Sequence, residues 1–117
     1  TIMAGGKIYD LGERTYLFAR DCRFKVKELK RTISNIEDGK QLVKSSGSVA
    51  ANYIEANEKL GDKDFKFRLK ISRKEAKESV LWLKLLRDLN SDDKELVNLI
   101  NEAEQLRKIL SAIINKS

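Results

Sequence analysis

Proline does not occur anywhere in the 117 residues, and this absence is the feature that most limits the fold. Proline is the strongest helix breaker, so long helices can run uninterrupted between the few polar breaks in the chain. Helix-start signals, a small polar residue followed three positions later by an acid, occur at Asp10, Ser34 and Asp92. Gly61 followed by Asp62 marks one helix end and a new start. These signals predict four helices, at residues 10–31, 35–60, 62–90 and 93–116.

Only short connections separate these helices, and no segment has the alternating pattern of a strand. Short connections place consecutive helices side by side in opposite directions. The sequence therefore predicts an all-α fold, a single antiparallel, up-down-up-down four-helix bundle over residues 10–117, preceded by a flexible tail over residues 1–9. A single cysteine and the lack of a long apolar run favour a reducing cytoplasm and no membrane partner.

Apolar residues recur with the helical period along each helix and define its buried side. In the first helix this core arc consists of Leu11, Phe18, Cys22, Val26, Leu29 and Ile33. We expect Cys22 to be a buried thiol that packs as a small apolar group, since the chain has no histidine that could activate it. The fourth helix carries one clean stripe, which is predicted to close the bundle: Leu96, Ile100, Ala103, Leu106, Leu110 and Ile113.

Small residues occupy the centre of the second helix, where strong helix formers are normally found. They are Ser45, Ser46, Gly47 and Ser48. Glycine in a helix costs about 1 kcal/mol relative to alanine, but small side chains allow helix axes to approach closely. We therefore expect the core arc of this helix, which also contains Gly39, to be a close contact surface. Its other side is predicted to face a neighbouring subunit through Ser45, Ser48, Asn52 and Glu55.

Basic residues form a stripe on one face of the first helix and another on the third. The first stripe consists of Arg20, Arg23, Lys27, Lys30 and Arg31. The second consists of Lys63, Lys66, Lys70, Arg73, Lys74, Lys77 and Lys84. With a net charge of +6, such stripes are typical of surfaces that bind polyanions, although basic helix faces can also serve only to solvate a bundle.

Residues 80–86 of the third helix are apolar on nearly every face. A helix of this kind must be covered on more than one side, which a monomeric four-helix bundle does not do. Three large side chains also lie beside the basic stripe of the first helix, where exposure to water is unfavourable for them: Tyr16, Leu17 and Phe24. We therefore expect a homo-oligomer whose interface includes Tyr16, Phe24, Ser48, Asn52, Glu55, Glu75 and Trp82.

Glu75 shares its side of the third helix with apolar residues, and a buried carboxylate needs a polar partner. Arg68 could satisfy it from the same side, or Asn52 and Arg73 could do so from a neighbouring helix or subunit. Buried polar pairs commonly fix the register of an assembly, so we expect a structural network here rather than a catalytic acid.

Two pairs of carboxylates, Glu55 with Glu58 and Glu75 with Glu78, have the three-residue spacing found in bundles that bind metal ions. Those metal sites also use histidine, and the chain has none. We therefore expect no metal, no cofactor and no enzymatic activity, and a carboxylate-metal enzyme is only a remote alternative.

Two segments resemble a known family: SNIEDGKQLVKSSGSVAANYIEANEKL, at residues 34–60, and KDFKFRLKISRKEAKESVLWLKLL, at residues 63–86. Their motifs NYIEA and RKEAKES are similar to those of the four-helix-bundle proteins encoded in intervening sequences of bacterial 23S ribosomal RNA genes, also called the S23-type ribosomal protein family. The resemblance covers about residues 9–89 and leaves the fourth helix without a motif. It implies a homopentamer, and a relation to the accessory protein of diversity-generating retroelements, a basic pentamer that engages nucleic acid.

These observations together predict a cytoplasmic oligomer that binds nucleic acid, with structured RNA as the expected ligand. An alternative is a structural hub that binds a protein partner such as a reverse transcriptase, because the same basic stripes could hold an acidic protein. Residue patterns do not distinguish these two functions.

Overall fold

The computed structural model describes the backbone of residues 2–4, 7–58 and 60–117, and the side chains of residues 10–58 and 60–117. This part of the chain contains four helices: α1 (Leu11–Glu28), α2 (Ile33–Ala56), α3 (Asp62–Leu89) and α4 (Lys94–Lys116). Two short antiparallel strands precede them, β1 (Ile2–Ala4) and β2 (Lys7–Tyr9). The sequence predicts a tail here and no strand. Thr1, Gly5 and Gly6 of that predicted tail lie outside the described residues.

The break between α1 and α2 comes earlier than the sequence predicts. α1 ends at Glu28 rather than at residue 31, and the Thr32 side chain caps α2 by accepting the backbone N–H of Asn35 at 3.1 Å. The prediction of Ser34 as the cap is wrong because threonine, also a good cap, makes this bond two residues earlier. The core arc of α1 therefore stops before Ile33, which is 85% exposed.

The other helix ends follow the predicted signals more closely. Asp10 caps α1, and Gly61, with a φ of 124°, precedes α3 in a backbone conformation that favours glycine. The cap of α4 is Asp93 rather than Asp92, which itself has a φ of 64°. α2 ends at Ala56 instead of residue 60. Helix existence and type are therefore confirmed for all four helices, with boundaries that differ by a few residues.

The helices contact one another in a closed cycle, α1 with α2, α2 with α3, α3 with α4 and α4 with α1. The start of α2 contacts the end of α3, and later residues of α2 contact earlier residues of α3, so these two helices are antiparallel. Asn35 at the start of α2 bonds to Asn90 just after α3, whereas the Ser72 hydroxyl, earlier in α3, donates to the Val49 carbonyl at 2.8 Å. This cycle places α1 and α3 across the bundle from each other.

The core is built from one side of each helix, and Cys22 lies within it with no exposed surface. Burial is the main reason that the pKa of the Cys22 thiol is raised to about 12, so the thiol stays protonated and packs as an apolar group, as predicted. On α4 the predicted stripe is buried at Leu96, Ile100, Ala103, Leu106 and Leu110. None of the described helices has a stretch that is long and apolar enough to cross a membrane.

The small residues of α2 bring it close to both of its neighbours, which confirms the predicted contact surface. A Cβ atom added to Gly39 would lie 2.8 Å from Cγ1 of Val26 in α1. Towards α3, the Ser45 hydroxyl lies 2.8 Å from the Ser79 hydroxyl. The prediction that Ser45 faces a neighbouring subunit is wrong, since it is buried between α2 and α3.

Candidate nucleic-acid interface

The second predicted basic stripe lies on α3. The first lies on α1 at Arg20, Arg23 and Lys27, and continues at Lys30 and Arg31 into the loop after α1. Every residue of the first stripe is exposed, and the second stripe is exposed except at Lys66 and Arg73, which are half-buried. Because α2 and α4 separate the two helices, one copy of the chain does not join the stripes into a single surface.

The two arginines in the middle of α1 are held by groups of their own helix. Arg20 pairs with Asp21 at 2.9 Å, and its guanidinium lies 5.5 Å from the centre of the Phe24 ring. Arg23 donates to the Ala19 carbonyl at 3.0 Å. The Arg20 pair is exposed on both sides and contributes little to stability, so both guanidinium groups remain accessible to an anion.

The remaining cations of the first stripe, Lys27, Lys30 and Arg31, make no ion pair among the described residues. They line an open groove between the end of α1 and the start of α2, which we call the basic groove. Lys40 of α2 adds a fourth cation that the sequence does not assign to either stripe. The other lining residues are all uncharged: Val26, Leu29, Asn35, Ile36, Gly39 and Val43.

A pair of amides, the buried Asn35 and the half-buried Asn90, supports the loop that carries Lys30 and Arg31. Asn35 Nδ2 donates to the Lys30 carbonyl and to Asn90 Oδ1, both at 3.0 Å, and Asn90 Nδ2 donates back to Asn35 Oδ1 at 2.8 Å. Asn35 is 5% exposed. No sequence pattern identifies this pair, because its members are 55 positions apart and only the packing of α2 on α3 brings them together.

The cations of the α3 stripe differ in how far they are free to bind a ligand. Lys66 donates to the carbonyl of Ser117, just after α4, at 3.0 Å, and Arg73 donates to the Ser111 hydroxyl of α4 at 3.3 Å. Lys74 lies 3.5 Å from Glu75 and 3.9 Å from Glu78. The other members of the stripe are exposed and make no ion pair among the described residues: Lys63, Lys70, Lys77 and Lys84.

The outward side of α3 changes from basic to apolar towards its C-terminal end. Leu81, Leu85 and Leu89 are 49%, 38% and 63% exposed, and their spacing of four residues aligns them on one side of the helix. We call these residues the leucine face. Trp82, a predicted interface residue, is partly buried and packs against the core of its own chain. The described residues leave the leucine face without an apolar cover.

The predicted interface residues of α1 and α2 have different surroundings. Tyr16 and Phe24 are 58% and 60% exposed, and Glu55 is exposed as well. Asn52 Nδ2 donates to the carbonyl and the hydroxyl of Ser48, at 2.9 and 3.0 Å. The Asn52 amide N–H groups are thus engaged within α2, whereas the two aromatic side chains are open to a partner.

Glu75 does not join the polar network that the sequence predicts. Its side chain is 17% exposed, and its nearest cation is Lys74, at 3.5 Å. Arg68 lies 3.7 Å from an aspartate one turn earlier in α3, and the Asn52 amide donates within α2. Within one chain the predicted network with Arg68, Asn52 or Arg73 is wrong, because each of these side chains has a nearer partner.

A buried lysine, which the sequence does not single out, lies on the α4 side of α1. Lys25 is 4% exposed, and its Nζ donates to Glu28, to Asp93 at 3.0 Å and to Glu95 at 2.7 Å. Burial by itself lowers the pKa of Lys25, but these three carboxylates outweigh it and raise the pKa above the ordinary lysine value. A signal for this position exists: Lys25 follows Phe18 by seven residues and therefore lies on the core side of α1.

The carboxylates considered for metal binding do not form a cluster. Glu55, Glu58 and Glu78 are exposed, and Glu75 is partly buried. Within residues 10–58 and 60–117 there is no group of three or more histidine, cysteine, aspartate or glutamate side chains that could hold a metal ion.

The arrangement of α1 to α4 also occurs in known proteins. Residues 12–112 match the family described as 23S rRNA-intervening sequence protein. A crystal structure of a protein of unknown function from the S23 ribosomal protein family of Bacteroides thetaiotaomicron is 29% identical, with a TM-score of 0.76 over 90% of this chain and 98% of that chain. No curated protein matches the chain. The family match covers most of the chain and extends into α4, for which the sequence offers no motif. The chain therefore belongs to the family of 23S rRNA-intervening sequence proteins.

Proposed function

We propose that the protein is a non-enzymatic, oligomeric nucleic-acid-binding protein whose ligand is structured RNA. The observation that carries this proposal is the number of exposed cations that no carboxylate of the described chain neutralises. Among them are Lys27, Lys30, Arg31, Lys40, Lys63, Lys70, Lys77 and Lys84.

Such cations bind phosphates well because no internal ion pair has to be broken first. Each phosphate contact releases a counterion from the nucleic acid, so several contacts add to a large and salt-sensitive binding energy. Arg20 and Arg23 remain exposed beside them and can grip phosphate in a bidentate way. Phe24 and Tyr16, the exposed aromatic residues of α1, offer surfaces on which unpaired bases of an RNA can stack.

We also propose that the helices form an up-down-up-down bundle, and that copies of it assemble as the pentamer that the family resemblance implies. The uncovered leucine face supports assembly, since contiguous exposed apolar patches mark interaction sites. A rotationally symmetric ring repeats each basic stripe once per copy.

Binding can be tested by fluorescence anisotropy of a labelled structured RNA over a series of salt concentrations. We expect the affinity to fall about 1,000-fold or more between 50 mM and 200 mM salt, as for a protein that makes about six or more phosphate contacts. The matched control is an unrelated helical protein of similar size and net charge. An affinity no higher than that of the control, or one that does not change with salt, would contradict nucleic-acid binding.

Assembly can be tested with the double substitution Leu81→Glu and Leu85→Glu. We expect the wild-type protein to sediment as an oligomer at micromolar concentration and the variant as a monomer with unchanged helix content, since the interface would otherwise bury unpaired carboxylates. Val97→Glu, at a 43% exposed position of α4, is the matched control and should leave the oligomer intact. A wild-type protein that sediments as a monomer would refute the assembly proposal. An unchanged mass of the double variant would exclude the leucine face as the contact.

A second candidate function is a structural hub for a protein partner such as a reverse transcriptase. The leucine face favours it, because an apolar helix surface suits a protein better than a nucleic acid. A pull-down of the candidate partner with and without nuclease treatment distinguishes the two functions. Contacts that survive nuclease favour the hub, and contacts that depend on nucleic acid favour RNA binding.

A further inference from the structure

We propose that the basic groove between α1 and α2 is the main site where the protein holds the phosphate backbone of its nucleic acid, and that the α3 stripe contributes less. This inference rests on the proposed function and assigns it to one site. The basic groove contains Lys27, Lys30 and Arg31 of the first predicted stripe, together with Lys40 of α2.

The charges of the basic groove converge on one space. Lys27 comes from the last turns of α1, Lys30 and Arg31 from the following loop, and Lys40 from α2. All four are exposed, and no acidic residue lines the groove. Cations that surround a concave space act together on one bound anion, and concave walls focus their field.

The uncharged walls of the groove suit the sugar part of a nucleic-acid backbone. Val26 and Leu29 come from α1 and its end, and Ile36 and Val43 come from α2. All four are half-buried, so they form walls beneath the exposed cations. The close approach of Val26 to Gly39 brings the two walls together at the floor. Such side chains can contact the carbon atoms of a sugar while the cations of the groove contact phosphates.

The loop side of the groove is held in place before any ligand arrives. The buried Asn35 side chain donates to the Lys30 carbonyl and is itself bonded in both directions to Asn90 of the α3 end. A loop that is already ordered loses less conformational entropy on binding. Lys30 and Arg31 therefore start from a fixed backbone, although their side chains extend into solvent.

At the same end of the bundle, the α4 side of α1 carries mainly acidic residues. The two sides of α1 therefore differ in charge. Glu28, Asp92, Asp93 and Glu95 line a second surface groove around Lys25, between α1 and α4. Lys94 lines it too, so the acidic side chains outnumber the two basic ones. Lys25 is already bonded to three of these carboxylates. A polyanion is therefore attracted to the α2 side of α1 and repelled from its α4 side.

The α3 stripe lacks these features. Lys63, Lys70, Lys77 and Lys84 lie along the outer side of one helix, and the leucine face continues the same side. Lys66 and Arg73 are directed to α4. Lys63 and Lys66 line a groove of their own, but the carboxylate of Asp62 lines it as well, so its walls are not free of negative charge.

The test compares two variants that each remove four positive charges. The groove variant carries Lys27→Gln, Lys30→Gln, Arg31→Gln and Lys40→Gln, and the matched variant carries Lys63→Gln, Lys70→Gln, Lys77→Gln and Lys84→Gln. The same labelled structured RNA is titrated with each by fluorescence anisotropy over a salt series. Because all eight positions are exposed and unpaired, both variants should keep the wild-type circular dichroism and melting temperature.

We expect the groove variant to bind about 100-fold more weakly at about 0.1 M salt, with a log–log salt slope smaller by about 3, since each lost phosphate contact removes somewhat less than one unit. The matched variant should lose less than about tenfold. Equal losses in the two variants, or a larger loss in the α3 variant, would overturn the groove while leaving RNA binding intact.

Failure of the wild-type protein to bind the RNA in a salt-dependent way would instead overturn the proposed function and the groove with it. A polyglutamate chain of similar length serves as the acidic-protein probe. If the wild-type protein binds it as tightly as the RNA, and the groove variant loses both equally, the groove is a site for polyanions in general, and its assignment to a nucleic-acid backbone is overturned.

Discussion

Replacing Lys25 with methionine is expected to lower the free energy of unfolding by about 2 kcal/mol, because the change removes a buried charge that pairs with carboxylates. The unbranched methionine side chain is only one atom shorter than that of lysine, so the change leaves no large cavity. Of the three partners, Asp93 is 18% exposed and loses its cation in a partly dry position, whereas Glu28 and Glu95 are 57% and 72% exposed and regain water. The expected loss is therefore smaller than for a fully buried pair.

Urea denaturation at one fixed protein concentration measures this change, since an oligomer gains stability with concentration. Lys27→Met, at an exposed position that makes no ion pair, is the matched control and should change stability by less than about 0.5 kcal/mol. A Lys25→Met protein as stable as the control variant would show that the carboxylates do not stabilise this end of the bundle.

The raised pKa of Lys25 also determines how the stability difference between wild type and Lys25→Met depends on pH. A base whose pKa is higher in the folded state contributes its full stability below the ordinary lysine pKa of about 10.4 and loses it as pH rises through the folded value. The difference between wild type and Lys25→Met should therefore be the same at pH 7 and at about pH 10. A difference that shrinks between neutral pH and about pH 9 would contradict the raised pKa.

Gly39→Ala is expected to destabilise the protein by about 1–3 kcal/mol, although alanine is the better helix former by about 1 kcal/mol. The added Cβ would lie 2.8 Å from Cγ1 of Val26, a methyl group on a short, stiff side chain. The helices would have to move apart, or Val26 would have to leave its preferred rotamer. Either change disturbs the floor of the basic groove.

Gly47→Ala is the matched control for this substitution. Its Cβ would lie 2.9 Å from an Arg23 guanidinium nitrogen, the far end of a flexible side chain that can move aside. This variant should be as stable as wild type or up to about 1 kcal/mol more stable. A double-mutant cycle with Val26→Ala gives a further check, because the smaller partner should relieve most of the Gly39→Ala effect. Additive effects of Val26→Ala and Gly39→Ala would show that the close contact is not the cause.

The helices of this protein are largely predictable from residue patterns, because those patterns act locally. Asp10 and Gly61 mark helix ends through bonds and backbone angles within a few residues, and the α4 stripe identifies its own buried side. The errors are local as well. Thr32 replaces Ser34 as the α2 cap because two good capping residues lie within three positions of each other.

The candidate site is only partly predictable, because its residues come from separate helices. Periodicity finds Lys27, Lys30 and Arg31 as part of one stripe. It does not find Lys40, which joins them across the α1–α2 contact. The Asn35–Asn90 pair that supports the loop leaves no pattern, since two amides 55 residues apart are ordinary polar residues in a sequence.

By itself the sequence determined that the chain forms long helices, which side of each is apolar, that Cys22 is a core residue, and that the surface is strongly basic. Those properties depend on neighbours one to seven residues away and on composition. Only the tertiary structure decided which cations are neutralised and which converge on a groove. A charge acts through space, and its partners are set by how the helices pack rather than by their order along the chain.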